Sequence, residues 1–159
     1  MRKESSPGRP LSARGLRFGV VASRFNREVV EDLLHDALGC LRDLGAQEAA
    51  ITVVRVPGAF EIPLAVRLLC ERGGMDAVVA LGAVIKGETS HHLHLSQAVV
   101  QGLASVALET RVPVACGVLT TDSEAQAKER SRRGDPGNGG RAAALAAVEM
   151  ALLARSLGR

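Results

Sequence analysis

The 159-residue chain contains no tryptophan and no tyrosine, and apart from histidines its aromatic rings are Phe18, Phe25 and Phe60. Since 47% of the residues are hydrophobic, any sizeable core must be filled by Ala, Val and Leu, side chains that suit helices packed closely on a sheet. The same shortage removes the stacking platform that single-stranded nucleic acids need. An excess of one charge is also missing: 20 Lys+Arg against 17 Asp+Glu leave +3, too weak a bias to argue for nucleic acid. Cys40, Cys70 and Cys116 are an odd count without Cys-x-x-Cys spacing. That argues against a disulfide framework or zinc knuckle and for a reducing, cytoplasmic compartment. No stretch approaches the ~20 apolar residues of a membrane span, and the N-terminus lacks the apolar core of a signal peptide. The expectation is a soluble, cytoplasmic protein with neither nucleic-acid nor membrane partners.

Residues 1–15 are rich in Ser, Pro, Gly, Arg and Lys and are expected to be a disordered or neighbour-ordered tail, leaving 16–159 as one domain. From Leu16 the pattern alternates between short β-rich runs and longer helical periods, the signature of βα units around a parallel sheet. Strands are predicted at Leu16–Ala22, Ala50–Val56, Ala77–Val84 and Val114–Leu119. A helix carrying Val30, Leu34, Leu38 and Leu41 starts behind Asn26 as N-cap. A short one spans Ile62–Arg72, with Pro63 tolerated in its first turn and a stop at Gly73-Gly74. A third runs from His91 to Glu109. A fourth opens on the capping-box sequence Thr121-Asp122-Ser123-Glu124 and breaks at the glycine-rich stretch from Gly134 to Gly140, and an Ala-rich helix, Arg141–Leu157, ends the chain.

Ligands of open parallel sheets bind beyond the carboxyl ends of the strands, so four segments carry the functional signal. They are Ser23-Arg24-Phe25-Asn26, Pro57-Gly58-Ala59-Phe60-Glu61, Lys86-Gly87-Glu88-Thr89-Ser90-His91-His92 and Thr120-Thr121-Asp122. Two phenylalanines, a carboxylate, histidines and hydroxyls on one edge suit a planar polar ligand between apolar walls. Gly82-Ala83-Val84-Ile85-Lys86-Gly87-Glu88-Thr89 nearly spells a P-loop, but Glu88 stands where the phosphate-binding lysine belongs, which argues against nucleotide hydrolysis. A glycine and a hydroxyl at a helix start still suit a monophosphate, while an ordinary capped turn fits the segment equally well. For His91, His92 and His94, a metal site lacks further ligands nearby and solvated surface histidines are the default. His91 stands apart because its place beside the phosphate seat suits proton exchange near neutral pH. Phe25 and Phe60 read as core residues or as ligand walls, Glu61 as a first-turn acid or a hydrogen-bond acceptor, and Arg130, Arg132 and Arg133 as a solvated helix end.

Taken together, Arg24-Phe25-Asn26, Val56-Pro57-Gly58-Ala59-Phe60-Glu61-Ile62-Pro63, Ala80–Thr89 followed by His91, and Gly117-Val118-Leu119-Thr120-Thr121-Asp122 make the chain similar to the lumazine synthase family from about Gly15 to Leu157. The resemblance implies an α/β three-layer sandwich with a four-stranded parallel sheet in flavodoxin-like order. It implies a transferase-class enzyme of the penultimate step of riboflavin biosynthesis, using no metal and no cofactor. The reaction joins 5-amino-6-(D-ribitylamino)uracil to 3,4-dihydroxy-2-butanone 4-phosphate, giving 6,7-dimethyl-8-ribityllumazine, phosphate and water. By the same resemblance Phe25 and Asn26 belong to the pyrimidine site, Ala59, Phe60 and Glu61 frame ring and ribityl chain, and Ala83, Val84 and Ile85 offer backbone contacts to the ring. Glu88 and Thr89 seat the phosphate and His91 is the catalytic proton shuttle. Arg130 and Cys116 arrive from a neighbouring subunit. Members form homopentamers, and some close into icosahedral shells.

The chain departs from the family pattern at four places. Cys116 stands where an aromatic is usual. His92-Leu93-His94 replaces an aromatic-Asp-aromatic stretch, and Ala98 replaces the Glu that follows it. Gly137-Asn138-Gly139-Gly140 replaces Gly-Asn-Lys-Gly, after a linker one residue longer. The extra residue and Pro136 favour a free pentamer over a shell. The departures also motivate an alternative, a lumazine- or flavin-binding protein of the same fold with weak catalysis.

Overall fold

A computed structural model describes residues 10–159; the tail expectation for residues 1–9 lies outside them. Over 10–15 the chain packs on its own core. Ala13 is fully buried, and its N–H donates to the Leu44 carbonyl at 2.8 Å.

Four strands form one parallel sheet: β1 (Phe18–Ser23), β2 (Ile51–Val56), β3 (Ala77–Ile85) and β4 (Val114–Thr121), in the order β2-β1-β3-β4. Each βα turn feeds a helix: α1 (Arg27–Asp43), α2 (Ile62–Arg72), α3 (His91–Thr110) and α4 (Glu124–Ser131), with α5 (Gly139–Ser156) following α4. β1 and β3 lie centrally, with every side chain of β1 buried and all but the last of β3, as expected of strands covered on both faces. Alternation sorts them. Phe18, Val20, Ala22, Val79 and Leu81 face a layer built from α1 and α5, while Val21, Val78, Ala80 and Val84 face α2 and α3. This is the three-layer α/β sandwich in flavodoxin-like order, and the predicted strands and helices all form within a few residues of their expected bounds.

The small side chains do their work between α1 and α5. Gly140, at the start of α5, lies so close to α1 that a Cβ on it would fall 2.0 Å from the Leu33 carbonyl oxygen. Asn138 caps α5: its Oδ1 accepts from the N–H groups of Gly140 (2.8 Å) and Arg141 (3.1 Å), while its Nδ2 donates to the Ser131 carbonyl at 2.7 Å. The α4–α5 linker is also held to α1, because buried Asp36 accepts from the Gly134 N–H at 2.7 Å.

Two expected caps differ in detail. α4 is capped by Ser123, whose Oγ accepts from the Gln126 N–H, and Gln126 reaches back to the Asp122 N–H. At α1, Asn26 occupies the N-cap position but makes no capping bond. Its backbone is left-handed (φ 54°, ψ 49°), a conformation asparagine tolerates better than most residues. That turn directs the amide across the sheet edge, where Nδ2 donates to the Ala83 carbonyl at 2.8 Å.

Candidate active site

The carboxyl edge of the sheet assembles three loops. After β1, the N–H groups of Arg24 and Phe25 donate to the carbonyls of Val56 (2.8 Å) and Pro57 (3.0 Å), fastening this loop to the one after β2. Asn26 ties it to the end of β3 on the other side. The loop after β2 folds into a single 3-10 turn, Ala59–Glu61. The Glu61 carboxylate stabilises that turn, Oε2 accepting from the Gly58 N–H at 2.9 Å, so one oxygen is committed locally and the other is free for a ligand hydroxyl. The third loop leaves β3 past Lys86, whose N–H donates to the Thr121 carbonyl at 2.9 Å, and turns into α3. There the Thr89 Oγ1 accepts from the His91 N–H at 3.3 Å, and its own O–H remains available to donate.

These loops enclose a cavity of about 410 Å3, within the usual range for a small-ligand site. It is lined by Phe25, Asn26, Gly58, Ala59, Phe60, Glu61, Ala83, Val84, Ile85, Gly87, Thr89, His91, His92 and Leu95. Phe25 and Phe60 are 71% and 67% exposed, an unusual position for large apolar rings, and both border the cavity rather than the core. The third phenylalanine, Phe18, is fully buried. The floor is the backbone at the end of β3, and one wall is the amino end of α3, where free N–H groups and the helix dipole favour an anion. The cavity therefore offers an apolar slot with a hydroxyl acceptor at one end and an anion seat with an imidazole beside it at the other.

A family model described as 6,7-dimethyl-8-ribityllumazine synthase matches residues 15–155. The chain belongs to this family. Among its relatives, a 6,7-dimethyl-8-ribityllumazine synthase of Aquifex aeolicus is 47% identical over 147 residues, covering 92% of this chain and 95% of the relative. One of Clostridium kluyveri is 48% identical with the same coverage.

Of the residues predicted for a lumazine synthase site, Phe25, Asn26, Ala59, Phe60, Glu61, Ala83, Val84, Ile85, Thr89 and His91 all border the one cavity. Glu88, Cys116 and Arg130 do not. Glu88 is exposed on the third loop, Cys116 is exposed on β4, and Arg130 is exposed on α4. Four lining residues were not among the predicted site residues: Gly58, Gly87 and His92, which lie in the segments selected from the sequence, and Leu95, which lies outside them. For His92 the signal was present. With Ser96, Val99, Leu103 and Val106 it forms the buried stripe of α3, spaced four, three, four and three residues apart, so it is an inward-facing residue and not the solvated histidine expected by default. No cluster of three or more His, Cys, Asp or Glu side chains placed to hold a metal ion occurs among the described residues.

Proposed function

We propose that the chain catalyses the lumazine synthase condensation at this cavity, joining 5-amino-6-(D-ribitylamino)uracil to 3,4-dihydroxy-2-butanone 4-phosphate with release of phosphate and water. The observation that carries the reading is the convergence of two exposed phenylalanines, a half-committed glutamate, an α3 amino terminus and His91 on one cavity. Its relatives are named as synthases, which does not favour ligand binding without catalysis.

In this reading the pyrimidine stacks on Phe25 between apolar walls, its polar edge meets the backbone at Ala83–Ile85, and the free Glu61 oxygen accepts from ribityl hydroxyls. The phosphate of the second substrate sits at the turn before α3, receiving the Thr89 O–H and main-chain N–H groups that include that of Glu88. The pyrimidine's amine then attacks the ketone. Loss of water gives an imine, proton removal beside it expels phosphate and leaves an enol that takes up a proton to become a methyl ketone, and attack of the ribitylamino nitrogen on that carbonyl with loss of a second water closes the ring. Each step moves a proton near the phosphate, which His91 is placed to relay. Much of the acceleration comes from holding the two reactants together, so His91 assists and is not all-or-none.

Cys116 and Arg130 would complete the site from the adjacent subunit of a homopentamer, Cys116 beside the pyrimidine and Arg130 over the phosphate. Support for assembly comes from apolar side chains left open on two adjoining helices, Leu64 and Leu68 on α2 and Leu93 and Val100 on α3. A cytoplasmic location accords with the unpaired cysteines, and no helix among the described residues is long and apolar enough to cross a membrane. Incubating the purified protein with both substrates should generate the green fluorescence of the lumazine faster than the uncatalysed reaction. Absence of any acceleration would refute the assignment.

A further inference from the structure

His92 is the one cavity-lining histidine that the condensation leaves without a task, and it is buried, with 7% of its surface exposed. Its ring Nδ1 lies 3.2 Å from the backbone carbonyl of Thr89. A carbonyl can only accept, so Nδ1 carries the hydrogen, and the tautomer is assigned by its partner. The bond survives protonation of the ring, because both nitrogens of an imidazolium donate.

The other side of His92 is fixed as well. Its own carbonyl accepts from Ser96 Oγ at 2.7 Å, and Ser96 Oγ accepts from Thr120 Oγ1 at 2.9 Å. Thr120 belongs to β4, so the chain of bonds runs from the carboxyl end of that strand, through the first turn of α3, to the Thr89 carbonyl. Thr89 in turn accepts the His91 N–H on its hydroxyl. The turn that would seat the phosphate is otherwise exposed from Lys86 to Ser90.

We propose that His92 is a positioning residue for the phosphorylated substrate: through its Nδ1–H bond to Thr89 it pre-forms the Gly87–Ser90 turn, so that less order is lost when the phosphate binds. This rests on the functional reading above. A merely space-filling ring would act differently, and two substitutions separate the cases. H92F keeps a ring of similar size and removes the donor; H92N removes the ring, but its Nδ2 stands near the original Nδ1 and can donate.

With H92F the KM for the dihydroxybutanone phosphate should rise about three- to tenfold, the worth of one net hydrogen bond. The KM for the pyrimidine and kcat should stay within about twofold. H92N should restore most of the lost affinity. An unchanged KM in H92F, or H92N as impaired as H92F, overturns the proposal. If H92F does not fold, long-range proton–nitrogen NMR of the wild-type ring decides: a hydrogen on Nδ1 is required, and one on Nε2 alone refutes it. If the wild type turns over neither substrate, the functional reading fails instead. Titration of wild type and H92F with inorganic phosphate then decides the positioning role, equal affinities counting against it.

Discussion

At the scale of single residues, the site depends on side chains that leave their usual roles. Asn26 gives up capping α1 and spends its amide on Ala83, which fixes the loop carrying Phe25. N26A should lose about 1–2 kcal/mol of stability from left-handed strain alone, with a further rise in pyrimidine KM. N26G should recover the strain part of that loss, but neither the bond to Ala83 nor the KM, as chemical denaturation and steady-state kinetics would show. The three cysteines differ in the same local way. Burial pushes the Cys40 and Cys70 thiols up in pKa, which keeps them protonated and slow to react, whereas Cys116 is exposed on the chain. Mass spectrometry after brief alkylation should therefore find Cys116 modified and the other two intact. Pyrimidine should protect Cys116 if a neighbouring subunit brings it into the site; undiminished labelling in saturating pyrimidine would place it elsewhere.

Among elements, the pairing of α1 with α5 is the tightest constraint. With Leu33 backbone where a Gly140 side chain would go, G140A cannot be absorbed by a rotamer change. It should cost at least the ~1–3 kcal/mol typical of overpacking, and helix displacement should shift the backbone amide NMR signals of α1 and α5. N138A attacks the same junction electronically. Loss of the α5 cap costs about 1 kcal/mol, and stranding the buried Ser131 carbonyl adds about 1–3 kcal/mol. Both should appear as a lower denaturation midpoint at unchanged slope. Because the linker between α4 and α5 hangs on these bonds, both variants should also disturb Arg130 on α4 and weaken phosphate-substrate binding.

For the whole molecule, acid sensitivity and assembly are the measurable properties. The Arg55 guanidinium, bonded to Glu31 at 2.5 and 3.1 Å, holds that carboxyl below its ordinary value. A lowered folded-state pKa contributes stability above the unfolded value and loses it as pH falls through the folded one. R55M should therefore be less stable near neutrality, and the difference from wild type should shrink in acid, as thermal melts across pH would show. The pair is partly exposed, with side-chain exposures of 36% and 35%, so the effect should also fade with salt. Sedimentation should find a pentamer, with activity declining on dilution below the assembly range, because one chain holds the cavity without Cys116 or Arg130. A fully active monomer would contradict the shared site.

Much of this was legible before any coordinates, because it depends on local chemistry. The alternation of β-rich runs with helical periods, Pro63 in a first turn and the breaks at Gly73 and Gly134–Gly140 place every strand and α-helix, and the rule that ligands lie beyond strand ends selects the three loops that line the cavity along with Thr120-Thr121-Asp122, which does not line it. Phe25 and Phe60 were readable as walls because they stand in polar segments. What local pattern could not supply was the partner of each polar group. Asn26 looks like a cap in one dimension and is a cross-link in three. Gly140 reads as part of a helix break and is a contact with α1. His92 looks like a surface histidine, but lies at the start of a buried stripe and bonds back across a turn. Hydrogen bonds and close approaches join residues such as Asn26 and Ala83, or Gly140 and Leu33, that are far apart in the chain, and their geometry exists only once the sheet brings its edges together.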